Sequence, residues 1–425
     1  MKIFADLHLH TKYSRGTSKD MDLENLAKGA KKKGIQLLGS GDFTHPLWVN
    51  ILKSSLEPVG KGTYLYEGVY FFLSTEVCNI FYRNGEAKKI HIIILAPDFT
   101  SMDKINLALS QYGDLYSDGR PILNNLEAKD LVKIVLDINP DCLIIPAHIW
   151  TPHFSLFGAN SGFDAVEECF ANETKNIYAL ETGLSSDPAM NWRLSKLDRY
   201  TLVSNSDAHS TQRLGRELNV FEIADYTPAR HSLGVGGDLY KEIIQIIKTK
   251  DKTKFLFTVE FFPEEGKYHF DGHRNCNVRF TPKEATKNKN ICPVCKRKLT
   301  IGVLHRVEEL ADRADGYVPA NSIPFKNLIP LDEIIGSVLG LGRESQTVLK
   351  EYEKLVSYFG SEFTVLIDAG IDDLLKVTPP AIAQGIVKVR KSEIEVIPGY
   401  DGVYGEIKIA TGGKEKTKDE QLSLF

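Results

Sequence analysis

At 425 residues the chain is too long for one ordinary core, so two or three domains are expected. Its 42% hydrophobic and 25% charged content is that of globular proteins, and no run of about 18 apolar residues offers a membrane span. A net charge of −4 gives no global attraction to nucleic acid, so any such binding needs a local basic patch.

The opening Met1 to His10 lacks the basic and apolar regions of a signal peptide and reads as a buried first strand. Short apolar runs then alternate with helical stretches as far as residue 220, the pattern of βα units and a mainly parallel sheet. The runs are Ile3–Ala5, Leu37–Gly39, Tyr70–Leu73, Ile92–Leu95, Leu143–Ile145, Tyr178–Leu180 and Leu202–Val203, with helices over Leu23 to Lys33 and Ala128 to Leu136. A helix over Leu239 to Ile247 and a strand over Phe255 to Phe262 follow. Residues 263–303 are polar and basic and carry cysteines. Helices are next expected at Val307 to Arg313, Leu331 to Leu339, Val348 to Phe359 and Ile371 to Leu375, a pattern broken by Pro379-Pro380. Two short strands, Ile394–Ile397 and Gly405–Ile409, precede a charged linker, Gly412 to Glu420, and an apolar end, Gln421 to Phe425.

Ligand-type residues recur at the strand ends. His8 and His10 are two apart in an extended segment, so both point to one side. Asp42 and His45, Glu76, His91, His148, and Asp207 with His209 arrive after later runs. Six of the eleven histidines would otherwise reach one face by chance, so a multi-metal site is expected. Clustered divalent cations lower the pKa of a water and balance charge at a phosphoryl centre, which points to a phosphoesterase.

Three of the six cysteines, Cys78, Cys142 and Cys169, are isolated in apolar stretches and read as buried hydrophobes. His273-x2-Cys276, fifteen residues, then Cys292-x2-Cys295 gives two pairs of ligands for a closed tetrahedral zinc site, with His269 and His305 nearby as alternatives for the fourth ligand. With no disulfide framework, a reducing cytoplasm is expected. Arg274 to Lys298 holds eight Lys or Arg against one Glu, a candidate surface for nucleic-acid phosphates.

Asp-Leu-His-Leu-His-Thr, Glu76, the His91 run, His148 and Ser-Asp-Ala-His resemble the motifs of the polymerase-and-histidinol-phosphatase (PHP) superfamily. That resemblance implies an α/β fold, a distorted seven-stranded (β/α) barrel over residues 1–262. It also implies two to three divalent metals, with zinc, manganese or magnesium as candidates. His8, His10, Glu76, His91, His148, Asp207 and His209 are then ligands, Glu76 a bridge, and His8, His10, Glu76 and Asp207 catalytic. The chain departs from the family where Phe43 follows Asp42, with His45 two positions later, and where Ser14-Arg15-Gly16-Thr17-Ser18 replaces an extra ligand.

Barrel, zinc module (263–305), helical domain (306–411) and flexible tail (412–425) in this order resemble the endonuclease Q family. Glu181 to Pro188, Met190 to Arg193 and Pro398 to Gly405 carry that resemblance further. It implies a DNA-repair endonuclease cutting 5′ to deaminated bases (hypoxanthine, uracil, xanthine) and abasic sites by metal-activated water, leaving a 3′-hydroxyl and a 5′-phosphate. A flipped base would lie among Trp48, Trp150, Phe154, Asn191 and Trp192. Arg274, Arg279, Lys283, Lys296, Arg297, Lys298, Asn191 and Arg193 are the expected DNA contacts. Gln421, Leu424 and Phe425 resemble a sliding-clamp-binding peptide. A monomer near the nucleoid is expected. The competing readings are a phosphatase of small phosphate esters and a non-catalytic DNA-binding scaffold.

Overall fold

The computed structural model describes residues 1–224 and 238–409, which form two compact units. One comprises Met1–Leu328 with Ile397–Glu406; the other comprises Ile329–Val396 and the chain from Ile407.

The first unit is a mixed α/β fold built on an eleven-stranded sheet. Its strands include β1 (Lys2–Asp6), β2 (Leu37–Gly39), β3 (Glu57–Gly60), β4 (Thr63–Tyr66), β5 (Val69–Arg83), β6 (Glu86–Ala96), β7 (Ile122–Asn124) and β8 (Leu143–Pro146). A separate pair, β9 (Ala179–Glu181) and β10 (Thr201–Val203), is followed by β11 (Leu218–Glu222) and β12 (Phe255–Glu260). After the small hairpin β13 (Asp271–His273) and β14 (Val278–Phe280), β15 (Phe325–Asn327) returns to the large sheet. Its main path is β15-β12-β11-β1-β2-β5-β4-β3, with β6 joining β5 to β8 and β7 beside β5.

The sheet is therefore open, and the closed seven-stranded barrel is not what the ladders form among the described residues. The join between β8 and β9 rests on Ile149 N–H to the Glu181 carbonyl, and Leu9 with Ala208 makes an isolated bridge near β1. Pairing is also mixed rather than mainly parallel: β1–β11, β5–β4, β5–β6 and β6–β8 are antiparallel. The cause of the longest antiparallel pair is local. Asn84-Gly85 takes positive φ at both positions (54° and 82°), the backbone of a tight hairpin turn whose twist matches its strands.

The core explains why these segments assemble. Ile3, Ala5, Leu37, Phe72, Ile93, Leu95, Leu143 and Ile145 face Ile243, Ile246 and Ile247 of helix Leu239–Thr249 in one buried cluster. The helix Leu23–Lys33 forms as expected, with Asp22 accepting the Asn25 N–H and Gly34 closing it in the left-handed region at φ 87°. No helix among the described residues is long and apolar enough to cross a membrane.

The second unit holds helices Leu331–Leu339, Gln346–Phe359, Ile371–Val377 and Pro380–Arg390. Pro379-Pro380 opens the last helix rather than ending the pattern, because Pro380 sits in its first turn, where no N–H is needed. Buried Glu362 accepts the Leu331 N–H at 3.1 Å and the Tyr352 hydroxyl at 2.6 Å. Residues 412–425, with Gln421, Leu424 and Phe425, lie outside the described residues.

Candidate metal centre and cysteine module

The loop after β1 carries His8 and His10 into a cluster with Glu76 of β5 and Asp207 after β10, their ligand atoms all within 4.8 Å of one another. Glu76, His91 and His148 form a second group on the same terms, so Glu76 belongs to both. His8, His10, Glu76, His91 and His148 are buried, and Asp207 is 26% exposed, which places the opening of the site on its side. Glu76 and His91 lie inside long strands rather than at their ends, because β5 and β6 run on past the site.

The donor set fits cations. His8 Nε2, His10 Nε2 and Asp207 Oδ1 are buried without a hydrogen-bond partner, although His10 Nε2 is only 3.1 Å from Glu76 Oε2 and 3.2 Å from Asp207 Oδ1. Two carboxylate oxygens thus converge on one imidazole nitrogen. In the second group, His91 Nδ1 and His148 Nε2 stand 3.2 Å apart, both against Glu76 Oε1 at 2.8 and 3.0 Å. Converging lone pairs of this kind suit imidazole–carboxylate ligation.

Each ring is oriented from behind. His8 Nδ1 meets both Glu181 oxygens at 3.0 and 3.1 Å, and Glu181 also accepts the His148 N–H at 2.7 Å. His10 Nδ1 meets Asp42 Oδ1 at 3.0 Å. His148 Nδ1 meets the Thr151 hydroxyl at 2.9 Å. This is the carboxylate–histidine arrangement that fixes tautomer and raises ligand basicity. Asp42, His148 and Asp207 all have positive φ (44°, 31° and 47°), strain that surrounding bonds must hold.

Electrostatics follow from the packing. Burial opposes charge on His8, yet Glu181 and Glu76 outweigh it and hold the ring well above its ordinary value. Burial likewise opposes ionisation of Glu76, but His91, Arg120 and His8 keep it well below the carboxylate range. Burial dominates at His91 and lowers it to about 4, a neutral ring ready to ligate.

Three expected ligands stand outside both groups. Asp42 is turned away to His10, Thr11 and Ser14. His45 stacks on Tyr13 with ring centroids 4.4 Å apart. His209 lies beside His10 at 4.7 Å, its Nδ1 meeting the Asp207 carbonyl. Glu181 and Arg120 were not expected. Glu181 could have been found as a carboxylate ending a strand, but Arg120 has no such signal; its Nη1 reaches Glu76 Oε2 at 3.1 Å.

His273, Cys276, Cys292 and Cys295 form a third group, a donor set that suits one tetrahedral cation. Asn277 and Lys296, each directly after a cysteine, take positive φ (50° and 61°) and turn the chain back at each pair. Cys292 with Val278, Ala285 and Leu299 makes only a small core, so the module has little else to hold it. The Pro398 to Gly405 stretch straps this module: the Phe270 N–H reaches the Gly399 carbonyl, and the Tyr400 hydroxyl meets Asn277 at 2.8 Å. Arg274, Arg279, Lys283, Lys296, Arg297 and Lys298 are all exposed on it.

Two expected DNA contacts are corrected. Asn191 is fully buried, its amide shared among Trp150 Nε1, Ser186 and the Asp187 carbonyl. Arg193 is buried and paired with Glu308 at 2.6 Å. Of the expected base-pocket residues, Trp48, Trp150 and Trp192 are also core. Phe154 alone among those five is partly exposed, its ring 5.1 Å from that of His91.

Residues 330–393 match the family described as the MJ0043 C-terminal domain. The chain is 31% identical over 424 residues to Bacillus subtilis uncharacterized protein YqxK, covering 96% of this chain and 99% of that one. It is similar to the crystal structure of the lesion-specific endonuclease PfuEndoQ from Pyrococcus furiosus, with 33% identity, a TM-score of 0.84 and 96% of each chain covered. It is equally similar to an endonuclease Q complexed with a 27-mer duplex substrate bearing an abasic lesion at the active site: 32% identity, TM-score 0.83, 98% of this chain and 99% of that one. With a candidate metal centre in place and likeness along nearly its whole length, the chain belongs to the endonuclease Q family and is an enzyme of the metal-dependent endonuclease class.

Proposed function

We propose that the protein hydrolyses the DNA phosphodiester bond on the 5′ side of deaminated bases (hypoxanthine, uracil, xanthine) and of abasic sites, leaving a 3′-hydroxyl and a 5′-phosphate. The observation that carries this is the convergence of His8, His10, Glu76, His91, His148 and Asp207 in a chain of this family. His8, His10, Glu76 and Asp207 act as the catalytic set. Divalent cations held there supply an activated water and a counter-charge for the phosphoryl oxygens.

The chain's own residues do the positioning. Glu181 and Asp42 lock the His8 and His10 rings, so ligand atoms need not reorganise during the reaction. His273, Cys276, Cys292 and Cys295 take a structural zinc that holds an otherwise polar segment, and the six exposed cations around it contact phosphates. Deamination replaces an exocyclic amine by a carbonyl and adds a ring N–H, so a pocket offering one donor and one acceptor separates lesion from normal base. Phe154, beside His91, is the surviving candidate to stack on a flipped base. The tail with Gln421, Leu424 and Phe425 is a sliding-clamp peptide, and the enzyme works as a cytoplasmic monomer.

The test is incubation with manganese, magnesium or zinc and duplexes carrying inosine, uracil, an abasic site or normal bases only. Cutting confined to lesion strands is expected. Equal cutting of normal duplexes, or hydrolysis of small phosphate esters without DNA cleavage, overturns the proposal.

A further inference from the structure

Arg120 sits where neither the ligand motifs nor the fold requires a cation. The loop that carries it is held across the site by bonds at consecutive residues. The Arg15 and Arg120 N–H groups share Asp118 Oδ1 at 3.3 and 3.1 Å. Gly119 donates its N–H to the Tyr13 carbonyl at 3.0 Å and accepts the Thr44 hydroxyl at 3.0 Å. A Cβ on Gly119 would collide with the Asp42 carboxylate and the Ser14 hydroxyl, so only glycine lets the loop come this close. The backbone of Arg120 is thus fixed before any ligand arrives.

Its side chain spends one donor, Nη1, on Glu76 Oε2. Among the described residues nothing takes Nε or Nη2, and the side chain is 26% exposed, the same as Asp207 across the opening. A guanidinium beside a carboxylate shared by two ligand groups also repels the cations that carboxylate would hold. Neutralising Glu76 alone would therefore weaken the centre, and the cost has to be offset by a partner that needs positive charge at that spot. A phosphate oxygen matches: it is anionic, planar recognition suits the fork of arginine, and negative charge shifts over the phosphoryl oxygens in the transition state.

We propose that Arg120 is a catalytic residue that binds a non-bridging oxygen of the scissile phosphate, with Glu76 and the Gly119 loop presenting its free N–H donors. This rests on the phosphodiesterase reading above.

The experiment compares wild type, Arg120→Ala and Arg120→Lys in single-turnover cleavage of an inosine duplex, alongside bound-metal content, thermal midpoint and the response to added guanidinium ion. Arg120→Ala should cleave about 10²–10³-fold more slowly, with metal content undiminished and the thermal midpoint unchanged. Guanidinium ion at non-denaturing concentration should restore part of that rate and leave wild type unaffected, a response that a merely structural role would not give. Arg120→Lys should fall between the two, and it keeps the test informative if the alanine variant folds poorly. Alanine cleavage within about threefold of wild type, metal loss in step with the rate, or no rescue overturns the role of Arg120. Failure of the wild-type protein itself to cut the inosine duplex overturns the underlying reading instead.

Discussion

Replacing Glu260 by glutamine is expected to flatten the pH dependence of stability on the alkaline side. Glu260 is buried, with Oε2 accepting the Thr182 and Ser204 hydroxyls at 3.0 Å each and Oε1 accepting the Thr258 hydroxyl. Burial raises it from 4.5 to about 8, the Asp187 carboxylate adding to the rise and the three hydroxyls opposing it. Buried Glu217 is held well above its ordinary value as well, by burial first and by Glu260 second.

The sign follows from linkage. The folded state keeps a proton that the unfolded chain releases near 4.5, so this contribution is fully present below pH 4.5 and is lost as pH rises through about 8. A rise of that size, at 1.36 kcal/mol per unit, corresponds to about 5 kcal/mol between the two limits. Glutamine stays neutral, and rotating hydroxyls can accept from its amide. Urea unfolding at pH 5, 7 and 9 should show wild type losing stability with pH and Glu260→Gln losing about 4 kcal/mol less over that range, because part of the contribution is already lost at pH 5. Parallel curves for the two proteins would refute the buried, protonated carboxyl.

Glu181→Gln, which leaves His8 Nδ1 without its carboxylate, should lower metal affinity or activity about 10–100-fold while the fold persists; unchanged metal titration would contradict that role. Cys292→Ser should release one zinc equivalent, expose the module to protease and weaken duplex binding, whereas undiminished zinc content by mass spectrometry would remove the module from the account.

Much of the centre was legible because its signals are local. His8 and His10 share a face by strand alternation, and the Asp207 motif follows an apolar run directly. Helix Leu23–Lys33 was bounded by caps that act within a few residues, and Gly340 likewise ends helix Leu331–Leu339. What failed to read depends on distant partners. Asn191 looked like a DNA contact until Trp150 proved to occupy its amide, and Arg193 until Glu308 paired with it. Arg120 reaches Glu76 only because a loop crosses the site, 44 positions away in sequence. The mixed pairing of the sheet, by contrast, is encoded locally at its longest pair, because Asn84-Gly85 is itself a hairpin signal. Sheet closure depends on whether the β9–β10 pair joins β8 on one side and β1 on the other, a matter of a few backbone hydrogen bonds at the joins that no periodicity encodes.

The most direct measurement maps the ends of a nick in a duplex carrying one deoxyinosine, with wild type and His10→Ala compared under saturating manganese. The account predicts a single cut 5′ to the inosine in wild type, with a polymerase-extendable 3′-hydroxyl and a ligatable 5′-phosphate, and none with His10→Ala. A cut elsewhere, different end groups or undiminished cleavage without His10 would contradict it.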